Sequence, residues 1–323
     1  MNGAIAAESL QTLAKGSRSF SFASHFMPKE RREDAALLYA LCRLIDDLAD
    51  EAPSPQKARH DLGVLDAELR GQAPARALVE AFLSMAAQRG VRLAQVHELI
   101  LGVLSDLDTV RVPDDRALLR YCYRVAGTVG LMMSPILGVE DPQASAFALD
   151  LGVAMQLTNI CRDVQEDARM GRVYIPAHRL RAKGISQTAL LNLQPNHAAG
   201  VARVVQDLLL LAEQYYMSAE RGLHYIPAKP RAAIMVASQI YREIGHKLLR
   251  NGCEVRSGRT IVSGPHKGWV AFRGLVRLLH PAVLGLVRRP HTPQLHAEIA
   301  DLPGADSARA LAAGPWVAAG ASE

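Results

Sequence analysis

Apolar residues recur along most of the chain at intervals of three or four positions, which places their side chains on one face of an α-helix. Proline and glycine separate these stretches, as at 52–55, because proline ends helices. The pattern therefore predicts an all-α protein. The expected helices lie at about 3–15, a stretch after 29–34 that ends near 50, 56–70, 75–89, 93–108, 115–137, 142–169, 186–193, 198–222 and 229–252.

The helical pattern weakens from about Ser257, and the chain after Pro290 is rich in Ala, Gly and Pro. Such composition is typical of chain ends that pack poorly. We therefore predict one helical domain over residues 1–255. Residues 256–323 are expected to form a basic segment and a flexible tail.

Two acidic segments, 43–50 and 156–167, lie inside otherwise apolar helical stretches. Residues four apart share a helix face, so the carboxylates and amide of each segment are expected to stack in a row. The first row consists of Asp46 and Asp50, and the second of Asn159, Asp163 and Asp167. Most isolated Asp pairs of this kind are solvated, but these rows border apolar stretches, where unpaired charge is costly.

Bound cations would compensate these carboxylates. Oxygen ligands without His or Cys nearby favour Mg²⁺ or Mn²⁺ over zinc, and Mg²⁺ commonly completes its shell with substrate phosphate. Two such rows facing one cavity could hold a diphosphate and stabilise it as a leaving group. Apolar helices around the cavity would shield the resulting carbocation from water.

The composition is consistent with a helical core, because 49% of the 323 residues are hydrophobic and only 5% are aromatic. The net charge of +5 is uneven, because residues 241–290 hold ten Lys or Arg and two acidic residues. This basic region suggests an anionic partner. Its segment 266–280 could lie on a membrane surface or form a last helix packed on the bundle. No nucleic-acid-binding module is recognisable, so we expect no nucleic acid partner.

The four cysteines lack metal-binding spacing and are expected to be reduced. The histidines show no spacing that argues for catalysis. No signal-peptide pattern or membrane-spanning apolar run is evident. We therefore expect a cytoplasmic protein, with peripheral attachment to a membrane as a further option.

Several segments, taken together, resemble the squalene/phytoene synthase family over residues 8–255. The matching segments are 16–21, 121–130, 159–167, 171–176 and 239–245. Three others, 130–138, 215–223 and 241–245, are similar to bacterial phytoene-forming members. The resemblance implies an isoprenoid synthase bundle around a central apolar cavity, which would make 1–255 the catalytic domain.

The implied reaction joins two geranylgeranyl diphosphates head to head into 15-cis-phytoene through prephytoene diphosphate, in carotenoid biosynthesis. The implied cofactor is Mg²⁺, with Mn²⁺ able to substitute, and no NADPH is expected. The implied partners are two prenyl diphosphates, a membrane surface and downstream carotenoid enzymes.

The resemblance also implies roles for individual residues. The metal ligands would be Asp46, Asp50, Asn159, Asp163 and Asp167. The catalytic set would be Asp46, Asp50, Asp163, Asp167, Tyr39 and Tyr241. The diphosphate-binding set would be Ser17, Arg18, Ser19, Arg43, Gln156 and Arg162. The cavity set would be Tyr121, Gly127, Gly130 and Tyr174, for which core packing is the alternative. Asp47 and Glu166 are expected to stand outside the ligand set.

Two alternatives remain open. A sister enzyme that uses farnesyl diphosphate would make squalene, a hopanoid precursor or C30 dehydrosqualene, and the acidic rows barely distinguish these products. An inactive membrane-associated assembly subunit would be expected to lose metal ligands, whereas every expected ligand is present here.

Overall fold

The computed structural model describes residues 3–16, 21, 24–192, 194–256 and 258–305. Within them it contains helices and one isolated bridge between Arg111 and Val173, with no strand. The all-α prediction is confirmed. The α-helices are α1 (Gly3–Gly16), α2 (Lys29–Asp50), α3 (Pro55–Leu69), α4 (Ala77–Arg89), α5 (Leu93–Ser105), α6 (Asp115–Cys122), α7 (Thr128–Ile136), α8 (Ala144–Arg162), α9 (Val164–Arg169), α10 (Ala177–Arg181), α11 (Gln187–Leu191), α12 (Ala198–Gly222), α13 (Ala228–Arg250) and α14 (Gly264–Arg277).

Helix α8 lies at the centre of the bundle. It packs against α12, α13 and α7, and its apolar side chains join the larger of two main core clusters. The second main cluster unites α2 with α3, α4 and α5. By length and composition α8 could cross a membrane, but 67% of the qualifying window is buried inside the protein, as expected of a core helix.

Glycines allow α7 and α8 to approach each other closely. A Cβ atom on Gly130 would lie 2.2 Å from the carbonyl oxygen of Ala148. A Cβ on Gly152 would lie 2.3 Å from the carbonyl oxygen of Ala126, in the turn that leads into α7. Any larger residue at either position would push these backbones apart.

Three predicted helices differ from the observed ones. Helix α2 begins at Lys29 and so includes the charged segment 29–34. The expected helix at 115–137 contains a π-helical turn, Tyr123–Gly127, between α6 and α7. The expected helix at 142–169 is interrupted at Asp163, where φ is −103° and ψ is 12°. Helix α10 was not predicted from the sequence pattern, whereas α14 corresponds to the segment 266–280, for which a last helix packed on the bundle was one of the two expectations.

The prediction of a flexible tail is wrong for residues 290–305. Ile299 and Leu302 are buried in the same core cluster as α8. The hydroxyls of Tyr215 and Tyr123 donate hydrogen bonds of 2.6 Å to the carbonyl oxygens of Leu295 and Pro303, respectively. This segment, which we call the C-terminal strap, therefore belongs to the main bundle. Residues 306–323 lie outside the described part.

Candidate active site

The first acidic row lies at the end of α2. The neighbouring face of this helix carries Leu38, Leu41 and Ile45, which are fully buried. Asp46 is half-buried and Asp50, the last residue of the helix, is exposed. The helix therefore holds this row at the edge of the core.

The second row continues across the break between α8 and α9. The amide of Asp163 donates to the carbonyl oxygen of Asn159, and that of Asp167 to Asp163, each over 2.9 Å. The four-residue spacing that stacks these side chains thus survives the break.

The two rows meet at Asp106 and Arg172. Nη2 of Arg172 lies 3.6 Å from Oδ1 of Asp50, and the amide of Arg172 donates to the carbonyl oxygen of Asp167 over 2.8 Å. Asp106, which caps the C-terminus of α5, interacts electrostatically with Asp46 and Asp167. Segments about 115 residues apart in sequence therefore form one acidic cluster.

Two tyrosines hold the Asp106 carboxylate. Tyr174 donates a hydrogen bond of 2.7 Å to Oδ1, and Tyr121 donates one of 2.9 Å to Oδ2. The two rings stack with centroids 4.7 Å apart. Burial raises the pKa of both phenols and of Asp106, so the tyrosines stay protonated as donors.

Crowding and burial make the acidic cluster electrostatically unfavourable without a cation. Burial raises the pKa of Asp46 from 3.8 to about 7; Arg43 opposes this shift and Asp50 adds to it. Burial also raises the pKa of Asp167 from 3.8 to about 7, with a further contribution from Asp163. A divalent cation would compensate these charges.

Asn159 supplies a specific test of whether a hard cation fits. Its buried Oδ1 has no hydrogen-bond donor in the described part of the chain, while its Nδ2 lies 3.3 Å from Oε1 of Gln156. A buried oxygen without a donor is costly unless something else binds it. Together with the neighbouring carboxylates it forms an all-oxygen set, so these residues fit Mg²⁺ or Mn²⁺.

Arginine side chains form ion pairs with several carboxylates in and beside the rows. Asp163 forms ion pairs with Arg162, whose Nε is 2.7 Å from Oδ1, and with Arg259, whose Nε is 3.1 Å from the same atom. Arg43 pairs with Asp47 one turn away on α2. These guanidinium groups are placed where they could bind diphosphate oxygens.

Two further predicted residues lie beside the rows. Tyr39 interacts electrostatically with Tyr241, Arg43 and Asp46, so α2 and α13 both contribute to the site. A Cβ atom on Gly16, at the end of α1, would lie 2.2 Å from the Tyr39 hydroxyl. The predicted diphosphate-binding residues that follow it, Ser17, Arg18 and Ser19, lie outside the described residues.

The predicted cavity residues fall into two groups. Tyr121 and Tyr174 contact Asp106 beside the acidic rows. Gly127 belongs to the π-helical turn, where a Cβ atom would meet Leu149 at an ordinary 3.4 Å. The close contact of Gly130 with α8 favours the packing explanation at that position. A role for either glycine in prenyl binding stays a prediction.

Sequence reasoning missed Asp106, Arg172 and Arg259 as site residues. Arg172 lies within the family-like segment 171–176, which was the available signal. Asp106 has no second acidic residue one turn away on α5, and Arg259 is one of many cations in a basic segment. Only the fold brings these two side chains to the rows.

A family model described as squalene/phytoene synthase matches residues 13–266 of the chain. A 15-cis-phytoene synthase from Enterobacter agglomerans is 37% identical over 265 residues, covering 78% of this chain and 88% of that protein. Another 15-cis-phytoene synthase, from Pantoea ananas, is 34% identical and covers 82% of this chain and 89% of its own length.

Solved structures agree with these sequence matches. A dehydrosqualene synthase crystallised with a ligand superimposes with a TM-score of 0.76 at 28% identity, covering 85% of this chain and 96% of that chain. A squalene synthase from Alicyclobacillus acidocaldarius has a TM-score of 0.68 at 20% identity, covering 77% and 94%, and supports the fold alone. The predicted isoprenoid synthase fold is confirmed.

Proposed function

Because this chain belongs to the squalene/phytoene synthase family, we propose that it is a prenyltransferase that joins two geranylgeranyl diphosphates into 15-cis-phytoene, releasing two diphosphates, in carotenoid biosynthesis. The names of its relatives support this substrate. The structural observation that carries the proposal is the meeting of the two acidic rows, with the buried Asn159 oxygen that has no donor among the described residues.

Mg²⁺ is the cofactor that these residues fit, and Mn²⁺ offers similar chemistry. Asp46 and Asp50 would hold it on one side, and Asn159, Asp163 and Asp167 on the other. When bound, the ions would neutralise charge on a departing diphosphate. In the proposed reaction the final carbocation would lose a proton to form the central double bond of phytoene, so no hydride donor such as NADPH would be needed.

The protein's own groups would bind and orient the substrates. Arg162 and Arg259 would exchange part of their contact with Asp163 for diphosphate oxygens. Tyr39 and Tyr241 would lie where the reacting carbons meet, with neighbouring apolar helices excluding water. In this scheme the C2=C3 bond of one substrate attacks C1 of the other as diphosphate leaves. Proton loss closes the cyclopropane of prephytoene diphosphate, and the released diphosphate accepts the proton. The second diphosphate then leaves, the ring rearranges, and loss of a second proton gives the central double bond of phytoene.

Product analysis tests which prenyl diphosphate is the substrate. Purified protein would be incubated with Mg²⁺ and either the C15 or the C20 diphosphate, with and without NADPH, and the hydrocarbon identified by mass spectrometry. We expect phytoene from the C20 substrate regardless of NADPH. Squalene or dehydrosqualene as the main product would contradict phytoene synthesis and support the C30 alternative. The similarity to a dehydrosqualene synthase structure makes this alternative worth testing.

The second part of the proposal concerns location: a cytoplasmic protein that docks peripherally on anionic membrane through α14. One face of α14 packs through Val270 and Ala271 onto α13. Trp269 and Phe272, three residues apart, stack with ring centroids 5.7 Å apart and are 57% and 56% exposed. The segment that follows α14 also exposes apolar side chains, with Leu279 and Leu286 at 73% and 75% exposure.

Basic residues flank this surface, including Lys267 and Arg273. Exposed aromatic and aliphatic side chains beside cations fit an anionic lipid surface. Docking there would also deliver an apolar product to a lipid phase that downstream carotenoid enzymes can reach.

Removing residues 256–323 would not test docking cleanly, because the strap belongs to the core. We instead compare Trp269→Ser/Phe272→Ser with Leu210→Ser/Met217→Ser, which removes similarly exposed apolar groups from α12. Co-sedimentation with vesicles of anionic and of neutral lipid is the measurement. We expect only the first pair to lose binding to anionic vesicles. Equal binding by both double variants would exclude α14 as the docking surface.

A further inference from the structure

A buried cluster of two imidazoles and a carboxylate lies outside the acidic rows. Nε2 of His296 is 2.8 Å from Oδ1 of Asp150, and Nε2 of His291 is 3.0 Å from Oδ2. The side chains of Asp150, His296 and His291 are 0%, 4% and 9% exposed. Asp150 belongs to α8, whereas both histidines belong to the C-terminal strap.

The hydrogen bonding of His296 bears on what the cluster can bind. Its Nδ1 lies 3.0 Å from the carbonyl oxygen of Ala305, which can only accept a hydrogen bond. A neutral ring that donates there presents the Nε2 lone pair to the Asp150 carboxylate. The 2.8 Å contact between Nε2 and Oδ1 is therefore made either by a doubly protonated imidazole, which donates from both nitrogens, or by a neutral imidazole that shares a bound cation with the carboxylate.

The arrangement matches what imidazole-binding metals require. The histidines are separated by four residues, within the H-x3–5-H spacing of zinc sites. A backbone carbonyl that fixes the tautomer of a ligating histidine is a common second partner in such sites. The three candidate ligand atoms lie within 4.8 Å of one another. Two imidazoles and one carboxylate also form a familiar ligand set for zinc and neighbouring first-row metals.

We propose that Asp150, His291 and His296 bind one zinc-class transition-metal ion, with water completing its shell. This site is separate from the oxygen-only acidic rows. It joins the strap to α8, the helix that also carries Gln156 and Asn159. Its role is to fasten the strap, and the metal takes no part in prenyl transfer.

Metal analysis of the full-length protein tests the site. Purified protein would be passed over a chelating resin, and its zinc measured by plasma mass spectrometry before and after addition of ZnCl₂. We expect about one zinc per chain and a rise in Tm of about 5 °C on adding excess Zn²⁺. Both should be lost in Asp150→Asn and in His291→Gln, with folding checked by circular dichroism.

Two control variants locate the ion. His60→Gln removes an exposed histidine on α3, and Asp46→Asn alters the first acidic row; both should keep the zinc. Refilling with Co²⁺ should give the strong visible absorption of a four-coordinate site in these controls, but not in His291→Gln. The site would be overturned if zinc-free wild-type protein showed neither a rise in Tm with Zn²⁺ nor visible absorption with Co²⁺. Hydrogen bonds alone would then connect the three residues. Equal zinc in wild type and His291→Gln would also overturn it.

Discussion

The hydroxyl of Tyr174 donates a 2.7 Å hydrogen bond to Oδ1 of Asp106. This bond joins the loop after the second acidic row to the end of α5. Because Tyr121 donates to the other oxygen, the Asp106 carboxylate is fixed in orientation while it faces both rows. The site therefore includes a carboxylate from outside the two rows, which is held in place by phenols.

Replacing Tyr174 with Phe should disturb this arrangement. The change removes a donor from a buried carboxylate, so we expect a loss of about 1 kcal/mol in the free energy of unfolding. We also expect kcat to fall about tenfold, since misplacing a group at an active site can cost up to about 100-fold. Tyr225→Phe is the control, because its hydroxyl bonds to Gln143 away from the rows. Equal kcat in both variants would show that the Asp106 contact is only structural.

Substitutions of Asp167, in the second row, and of its neighbour Glu166, outside the row, should differ sharply in their effect on catalysis. Asp167→Asn should lower Mg²⁺-dependent kcat by about 100-fold or more, because it removes charge that would balance the metal. Glu166→Gln changes the adjacent residue in the same way and should keep nearly full activity. Steady-state kinetics over a range of Mg²⁺ concentrations is the measurement. Comparable losses in the two variants would remove the distinction between ligand and bystander.

Stability of the metal-free protein should fall as pH rises. The pKa of Asp46 in the folded state is about 7, above its ordinary 3.8, so the folded state binds this proton more tightly than the unfolded state does. The contribution of this proton to the free energy of unfolding is therefore fully present below about pH 4 and is lost as pH rises towards 7. Asp167 acts in the same direction.

Asp46→Asn should consequently be inactive but more stable than wild type at pH 8, by on the order of 2 kcal/mol without divalent cations. This advantage should shrink steadily between pH 7 and pH 4. Urea denaturation in the presence of a chelator measures it at each pH. A variant that is less stable at pH 8, or an advantage that does not change with pH, would contradict the electrostatic account.

Gly130 and Gly127 should respond differently to alanine. A Cβ at Gly130 meets backbone at 2.2 Å, so Gly130→Ala should destabilise the protein by about 1–3 kcal/mol. At Gly127 the nearest atom is 3.4 Å away on a side chain, so Gly127→Ala should change stability by less than about 1 kcal/mol. Thermal unfolding compares the two variants. Similar Tm values would show that α7 can move away from α8 at little cost.

Much of this molecule follows from local sequence. The helices carry regular apolar periodicity, and the spacing of Asp46 and Asp50 alone predicts that their side chains share a face. The break at Asp163 did not disturb the second row, because its backbone hydrogen bonds keep the four-residue interval. These features depend on neighbours within one or two turns, and so can be read from the chain.

Other features depend on contacts between distant segments. Ile299 and Leu302 belong to an Ala- and Pro-rich stretch without sustained periodicity, and they become core residues only because α8 and α12 provide a surface for them. Asp106 and Arg259 likewise reach the acidic rows through tertiary packing. No local pattern distinguishes them from solvated charges.

The central claim is that the two acidic rows form one metal-dependent diphosphate site. Calorimetric titration of inorganic diphosphate into wild type, Asp46→Asn and Asp163→Asn, each with and without Mg²⁺, tests it most directly. We predict that wild type binds diphosphate only with Mg²⁺ and that a change in either row weakens binding by about 100-fold. Wild-type affinity in either variant, or equal affinity without Mg²⁺, would contradict the claim.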